Sequence, residues 1–129
     1  MRKGLVYTHG FLVEDVDKET AFYTENLGYK IQRTGESFVV FETDSPTGLF
    51  LWGHDHLTRH LGREAMSKVK HRAMTCVLYN TSSEVDEEFN RIVEQGASVI
   101  AAPQKWPWNA YAAYVTDPFG FLWELWAWL

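Results

Sequence analysis

The pattern of apolar and polar residues predicts a strand, a helix and three further strands in the first half of the chain. Residues Leu5 to Val13 have the alternating, β-branched character of a strand. Acidic residues between Glu14 and Asp17 can cap a helix, whose apolar residues recur at helical spacing until Gly28 ends it. Short apolar runs between turn residues predict the three strands, over 29–33, 37–43 and 49 to about 54.

The second half repeats this order. Arg72 to Tyr79 is predicted as a strand and Ser82 to Gln95 as a helix, with Ser82 or Ser83 as its cap and Gly96 after its end. Three more strands are predicted over 98–101, 111–116 and 121–129, with Pro103, Trp106 and Pro107 in a loop before the second of them. The pattern indicates two βαβββ modules in one domain of residues 1–129. Module 1 covers about 1–56, a linker with a short helix over 57–66 covers about 57–70, and module 2 covers about 71–129.

An internal repeat relates the last strands of the two modules. Residues 43–52 and 116–124 both begin with Thr-Asp, continue through a turn with proline and glycine, and end in an aromatic-rich strand. With one inserted residue in the first turn, Trp52 and Glu124 occupy equivalent places. Each half has about 60 residues and would bury only roughly 60% of its unfolded surface alone, so we expect the halves to share one core.

Composition and charge narrow the choice of partners. The chain has 129 residues, 46% of them hydrophobic and 16% aromatic, and a net charge of -5. Since it has no basic run for a phosphate backbone, we expect no nucleic-acid partner. Cys76 is the single cysteine, and the chain shows neither a leader nor an apolar stretch of 18 residues. We therefore expect a cytoplasmic protein with no disulfide and no membrane partner.

Short motifs in both modules resemble those of a known family. The runs Val13-Glu14-Asp15, Ala21-Phe22-Tyr23 and Asn26-Leu27-Gly28-Tyr29 resemble the first-module signature of the vicinal oxygen chelate superfamily, which includes glyoxalases, extradiol dioxygenases and bleomycin-resistance proteins. Asp117-Pro118-Phe119-Gly120, followed by Glu124, resembles its closing signature. The resemblance implies an α+β fold in which two βαβββ modules form paired curved mixed sheets around a shared cavity, commonly in a homodimer. Because this fold supports different chemistries, activity depends on the site.

The resemblance also implies where a metal ion would bind. Catalytic members hold a divalent metal with residues on the first and last strands of each module. These positions correspond to Thr8, Trp52, a residue within 73–76 where Cys76 is the plausible ligand, and Glu124. His9 is adjacent to Thr8 and therefore points to the opposite sheet face. An indole cannot ligate a metal, so we expect no metal and no other cofactor.

An alternative metal site stays open. His54 lies two residues beyond Trp52 in the predicted strand, and His56 follows at the same spacing. With Glu124, these two imidazoles could hold a divalent metal ion for a lyase, isomerase or dioxygenase reaction. Otherwise, the His54-Asp55-His56 segment is a polar exit from the strand.

The predicted strands place aromatic side chains around the expected cavity. Strand alternation puts Glu124, Trp126 and Trp128 on one face of the last strand and Trp123 on the other, where we expect it to pack in the core. The residues that we expect to contact a ligand share an inward position: Thr8, Phe50, Trp52, His54, Trp106, Trp108, Glu124 and Trp126. Such a surface suits a small aromatic or amphipathic molecule.

Two alternatives concern Glu124 and the tryptophans. Burial would favour the protonated form of Glu124. It can instead be a structural carboxylate bonded to Tyr111, Tyr114 or Arg72. The tryptophans can line a dimer interface, which would make the chain an interaction protein. The sequence favours metal-free capture of a small molecule, as in the bleomycin-resistance branch, with no reaction required.

Overall fold

The computed structural model describes residues 4–129 and has eight strands and four helices within them. The strands are β1 (Leu5–Val13), β2 (Ile31–Gly35), β3 (Phe38–Phe41), β4 (Gly48–Gly53), β5 (Ala73–Leu78), β6 (Ser98–Trp106), β7 (Ala110–Thr116) and β8 (Leu122–Trp128). The helices are α1 (Val16–Glu25), α2 (His54–Leu61), α3 (Arg63–Met66) and α4 (Ser82–Glu94). The predicted α+β fold with two βαβββ modules is confirmed.

The two modules are joined in one mixed sheet of order β2-β3-β4-β1-β5-β8-β7-β6. Within each module the first strand pairs in parallel with the last, and antiparallel pairing of β1 with β5 connects the modules. The predicted paired sheets therefore form a continuous eight-stranded sheet. The sheet is curled, as a contact between distant strands shows. Trp52 on β4 lies against Trp108, which follows β6, with ring centroids 4.9 Å apart. In a flat sheet, strands this far apart in the order would be separated by roughly 20 Å.

Helices α1 and α4 cover the outer face of the curled sheet. Asp15 caps α1 by accepting a hydrogen bond from the Lys18 backbone N–H, and Tyr23 of α1 stacks on Phe41 with centroids 5.1 Å apart. Helix α4 packs through Val85 and Phe89, in the same outer core as Trp123. The prediction that Trp123 packs in the core is confirmed.

The cap of α4 differs from the prediction. Thr81 accepts the capping hydrogen bond from the Glu84 backbone N–H at 3.2 Å, one residue before the two predicted serines. Threonine serves because its hydroxyl presents the same acceptor to the first turn of the helix. The glycine that follows this helix, Gly96, has φ of +107°, as expected for a residue that ends a helix.

The linker begins with a helix where the sequence predicted the end of a strand. Helix α2 starts at His54 directly after β4, and Gly62, with φ of +101°, separates it from α3. Leu57, Leu61 and Met66 of these helices are buried against the inner face of the sheet. The inference that His54 and His56 extend the strand is wrong, since burial of this apolar helix face overrides the short alternating pattern.

Strand β6 is longer than predicted. It continues from Ser98 through Pro103 to Trp106, and its register against β7 shifts twice on the way. Because β6 is an edge strand, a proline without an N–H is tolerated there. Among residues 4–129, none of the helices has the length and apolar character needed to cross a membrane.

Candidate ligand-binding cavity

A cavity with aromatic walls lies on the inner face of the sheet. Its volume is about 60 Å³. The aromatic side chains that form its walls are Tyr7, Phe38, Phe50, Trp52, Trp108, Trp126 and Trp128. Polar groups enter it from Thr8, Arg33, Cys76 and Glu124. The site is thus an apolar pocket with few polar groups, as is usual for small-molecule sites.

Three of the polar groups lie side by side because of strand register. Thr8 on β1 is opposite Cys76 on β5, and Cys76 is opposite Glu124 on β8. The Cys76 thiol is in hydrogen-bonding contact with both neighbours. The Tyr114 hydroxyl, from β7, donates a short hydrogen bond to Glu124 Oε2. Of the three partners considered from the sequence, Tyr114 is the one that bonds Glu124, while Tyr111 donates to Asp86.

Burial shifts the pKa values of Glu124, Tyr114 and Cys76. Glu124 is only 5% exposed. Burial raises the pKa of Glu124, against the opposing effects of hydrogen bonds from Tyr114 and Cys76 and of the Arg33 charge. Burial also raises the pKa of Tyr114 and of Cys76 well above their ordinary values. Both groups therefore keep their protons and serve as donors, and Cys76 is not activated as a nucleophile.

A histidine of α2 holds the Trp52 wall in position. The Trp52 indole N–H donates to His56 Nδ1 at 3.1 Å, and His56 is 5% exposed. Since Nδ1 accepts, neutral His56 carries its proton on Nε2, which lies 3.9 Å from Glu36 Oε1. Burial, followed by the charge of His60, lowers the pKa of His56.

Trp108 forms the wall next to Trp52, and a second tryptophan supports it from behind. Trp108 meets Trp52 edge-on and stacks on Trp106 with centroids 5.2 Å apart. Trp106 is not in the cavity lining: it packs in the core on the inner face of the sheet, and its indole N–H donates to the Ala112 carbonyl at 2.9 Å. The sequence predicted that Trp106 contacts a ligand; in the structure it lies behind Trp108 and supports that ring.

The end of β8 completes the lining. Trp126 packs edge-on against Tyr7 and is 5% exposed, whereas Trp128 is 45% exposed at the cavity entrance. Both line the cavity.

The structure brings together most of the residues predicted to contact a ligand. Those that line the cavity are Thr8, Phe50, Trp52, Trp108, Glu124 and Trp126. His54 is not among them; it starts α2, and the charges of Arg72, Asp55 and Glu14 act on its pKa, which burial lowers. His54 therefore lies outside the cavity lining, because the helix directs it away from the sheet face shared with Trp52.

Sequence reasoning missed Arg33 and Phe38. Arg33 lies on β2, a strand exposed along its whole length, so no buried alternation marked one of its faces as inward. The guanidinium carbon lies 5.4 Å from the ring centroids of both Phe38 and Trp128. Curling of the sheet creates this arrangement between β2 and β8, which are distant in the strand order.

Strand register also corrects one expected metal position. Thr8 lies opposite Gly48 on β4, and Trp52 lies opposite Leu12. Gly48, not Trp52, is therefore the neighbour of Thr8, and a Cβ there would lie 2.9 Å from Thr8 Cγ2. Neither glycine nor tryptophan offers a side-chain lone pair to a metal.

The residues present do not fit a divalent metal. Within residues 4–129, no three His, Cys, Asp or Glu side chains form a group that could hold one. The alternative set of His54, His56 and Glu124 is not assembled, because α2 carries both histidines away from the cavity lining. His9 bonds Thr75 on the exposed face at 2.9 Å, as expected from its place beside Thr8.

Solved structures share this fold. A protein from Legionella pneumophila, reported as an NAD-dependent benzaldehyde dehydrogenase, aligns with a TM-score of 0.76 and 18% identity over 95% of this chain and 98% of that chain. A glyoxalase/bleomycin resistance protein/dioxygenase superfamily member from Vibrio splendidus 12B01 aligns with a TM-score of 0.62 and 12% identity over 97% and 99%. The Mn(II)-bound glyoxalase from Novosphingobium aromaticivorans aligns with a TM-score of 0.60 and 20% identity over 96% and 38%. At these identities, the likeness shows the fold alone.

Sequence comparison is consistent with the fold. An uncharacterized protein from Mycobacterium bovis is 28% identical over 72 residues, which cover 56% of this chain and 47% of that protein. The match thus spans about half the length of that relative. A family model for the Glyoxalase/Bleomycin resistance protein/Dioxygenase superfamily matches residues 6–125, nearly the whole chain. This chain belongs to the glyoxalase/bleomycin resistance protein/dioxygenase superfamily.

Proposed function

We propose that this chain captures one small aromatic or amphipathic molecule in the tryptophan-lined cavity, without a metal ion and without turnover. The observation that carries this proposal is the aromatic wall formed by Trp52, Trp108 and Trp126 above the buried carboxyl group of Glu124. Aromatic side chains provide large apolar contact areas with defined ring geometry. Stoichiometric capture of this kind corresponds to the bleomycin-resistance branch of the superfamily.

The cavity volume limits how the ligand enters. A dry apolar cavity of roughly 150 Å³ holds benzene, whereas this cavity measures about 60 Å³. The cavity therefore accepts a small group or one end of a ligand. The rest of the ligand would lie against Phe38 and Trp128 at the entrance, or the Trp108 ring would move aside.

The protonation states of Tyr114 and Cys76, which lie beside Glu124 at the floor of the cavity, favour binding over catalysis. Tyr114 and Cys76 have pKa values well above their ordinary range, so both are poor proton acceptors near neutral pH. His56 uses Nδ1 to accept from Trp52. Acid–base chemistry would need a partner for Glu124 whose pKa lies nearer the working pH.

Tryptophan fluorescence with a panel of planar compounds tests the proposal. We expect a saturable, one-to-one change that Trp108→Ala weakens at least about tenfold, because burial against that ring contributes on the order of 1.5–3 kcal/mol. Trp123→Phe is the matched control on the outer face and should leave the affinity unchanged. Equal affinity in the wild type and in Trp108→Ala would place the ligand elsewhere.

A further inference from the structure

We infer that the cavity selects ligands whose head group accepts hydrogen bonds, and an anionic carboxylate above all, with that group directed to Arg33. This inference rests on the proposed function and names the chemical class of its ligand. It follows from the excess of hydrogen-bond donors over free acceptors around the cavity.

The floor of the cavity supplies a donor. The Tyr114 hydroxyl donates to Glu124, and the Cys76 thiol is in hydrogen-bonding contact with it, so two neighbouring donors already face this carboxyl group. Burial favours the neutral acid, as the raised pKa of Glu124 indicates. A proton on Glu124 then has the cavity as its open direction, where it can be donated to a ligand oxygen.

Arg33 supplies the positive charge. Its guanidinium carbon lies 5.4 Å from the ring centroids of Phe38 and Trp128, both of which line the cavity. None of the ion pairs within residues 4–129 involves Arg33. A guanidinium stacked on aromatic rings keeps its in-plane N–H groups available, and these match a carboxylate in a bidentate geometry.

Two buried tryptophan N–H groups that line the cavity are also donors. The Trp126 indole N–H is buried without a hydrogen-bond partner within residues 4–129. The Trp108 N–H is directed at the Tyr114 hydroxyl without reaching full hydrogen-bond geometry. An ammonium ligand would add more donors and would face the Arg33 charge, whereas a carboxylate supplies the acceptors that the site lacks.

Calorimetric titration with three probes of similar size tests this inference: benzoate, benzamide and benzylammonium. Near neutral pH we expect benzoate to bind tightest and benzylammonium weakest. Arg33→Gln should weaken benzoate about tenfold, as for loss of one charged hydrogen bond, and weaken benzamide by a smaller factor, because the neutral amide oxygen loses a hydrogen bond but no charge pairing. Arg33→Lys, which keeps the charge but not the planar fork, should recover part of the benzoate affinity.

A second substitution tests whether Glu124 at the floor of the cavity acts as a hydrogen-bond donor. Glu124→Gln replaces an O–H donor by an N–H donor, so benzoate affinity should stay within about threefold of the wild type. A gain of tenfold or more would show that the native carboxyl is ionised, and this would overturn the inference. Tightest binding of benzylammonium would also overturn it while leaving capture itself intact. If none of the probes binds, the proposed function fails and the inference fails with it.

Discussion

Glu124 and its neighbours show how single residues set the character of the cavity. Glu124 is buried at 5% exposure, and its hydrogen-bond donors come from β7 and β5 on either side. A carboxyl group in such a place is costly to ionise, because burial removes the water that stabilises its charge. The raised pKa of Glu124 favours the neutral form, and in that form the carboxyl group would add a donor to the floor of the cavity.

Replacement of Glu124 should change how stability depends on pH. The pKa of Glu124 is raised above 4.5 in the folded chain, so between 4.5 and the raised value the folded state binds more protons than the unfolded state. The contribution of Glu124 is therefore fully present below that window and is lost as pH rises through it. Urea unfolding of the wild type and Glu124→Gln at several pH values should show a fall in the wild type that the variant lacks. If the free energy of unfolding depends on pH in the same way in both proteins, the raised pKa of Glu124 is contradicted.

At the residue level, the sequence predicted the inward position of Glu124 and left open whether its carboxyl is protonated or bonded to Tyr111, Tyr114 or Arg72, and the structure shows Tyr114 as its partner. The internal repeat and strand alternation placed Glu124, Trp126 and Trp128 on one face, and the cavity lining confirms this. Arg33 was missed because its strand has no buried face. Its contact with Trp128 depends on sheet curvature, which alternation does not encode.

At the scale of elements, α2 determines the shape of one cavity wall. The hydrogen bond from Trp52 to His56 Nδ1 connects β4 to this helix, and His60 lies beside His56 with a ring-centroid distance of 4.5 Å. Glu36 from the β2–β3 turn and Arg59 of α2 also act on the His56 charge. Protonation of Nδ1 would remove the acceptor for the Trp52 N–H.

Acidification should therefore release the Trp52 wall. The pKa of His56 is lowered below 6.5 in the folded chain, so stability falls as pH drops from 6.5 through the folded pKa. Trp52 fluorescence and ligand affinity should change over the same range. His56→Gln keeps a side-chain acceptor that does not titrate and should remove this pH dependence, whereas His60→Gln should retain most of it. Persistence of the same pH profile in His56→Gln would rule out the connection.

Buried residues of the linker helices α2 and α3 also contribute to the free energy of unfolding. Leu57 of α2 is fully buried among residues that back the cavity. Leu57→Ala should lower the free energy of unfolding by about 2–5 kcal/mol, the usual range for a buried leucine. Leu27→Ala, at a position that is 54% exposed, should change it by less than about 0.5 kcal/mol. Denaturant unfolding measures both, and similar small losses would mean that α2 is not part of the core.

Element boundaries were predictable where local signals were strong. β1 is found over the predicted residues, and α1 has its acidic cap at Asp15. The start of α2 was missed, because Trp52, His54 and His56 continue a strand-like spacing while the helix is stabilised by burial of Leu57 and Leu61. Tertiary packing decided between two local patterns of similar strength.

For the whole molecule, the repeated βαβββ pattern and the family resemblance predicted the architecture. The strand register within each module was not predictable. The repeat aligns Trp52 with Glu124, yet Thr8 pairs with Gly48 while Cys76 pairs with Glu124. Register is fixed by the partners across the sheet and by bulges such as the one between Val6 and Thr8, which a single sequence does not display.

The most direct test of metal-free capture is a calorimetric titration of chelator-treated protein with benzoate, repeated after addition of Mn²⁺ or Zn²⁺. Because the cavity already supplies its own donors and cation, we predict one-to-one binding with the same affinity in both preparations and no consumption of the ligand. Binding that appears only after metal is added, or chemical conversion of the ligand, would contradict the account.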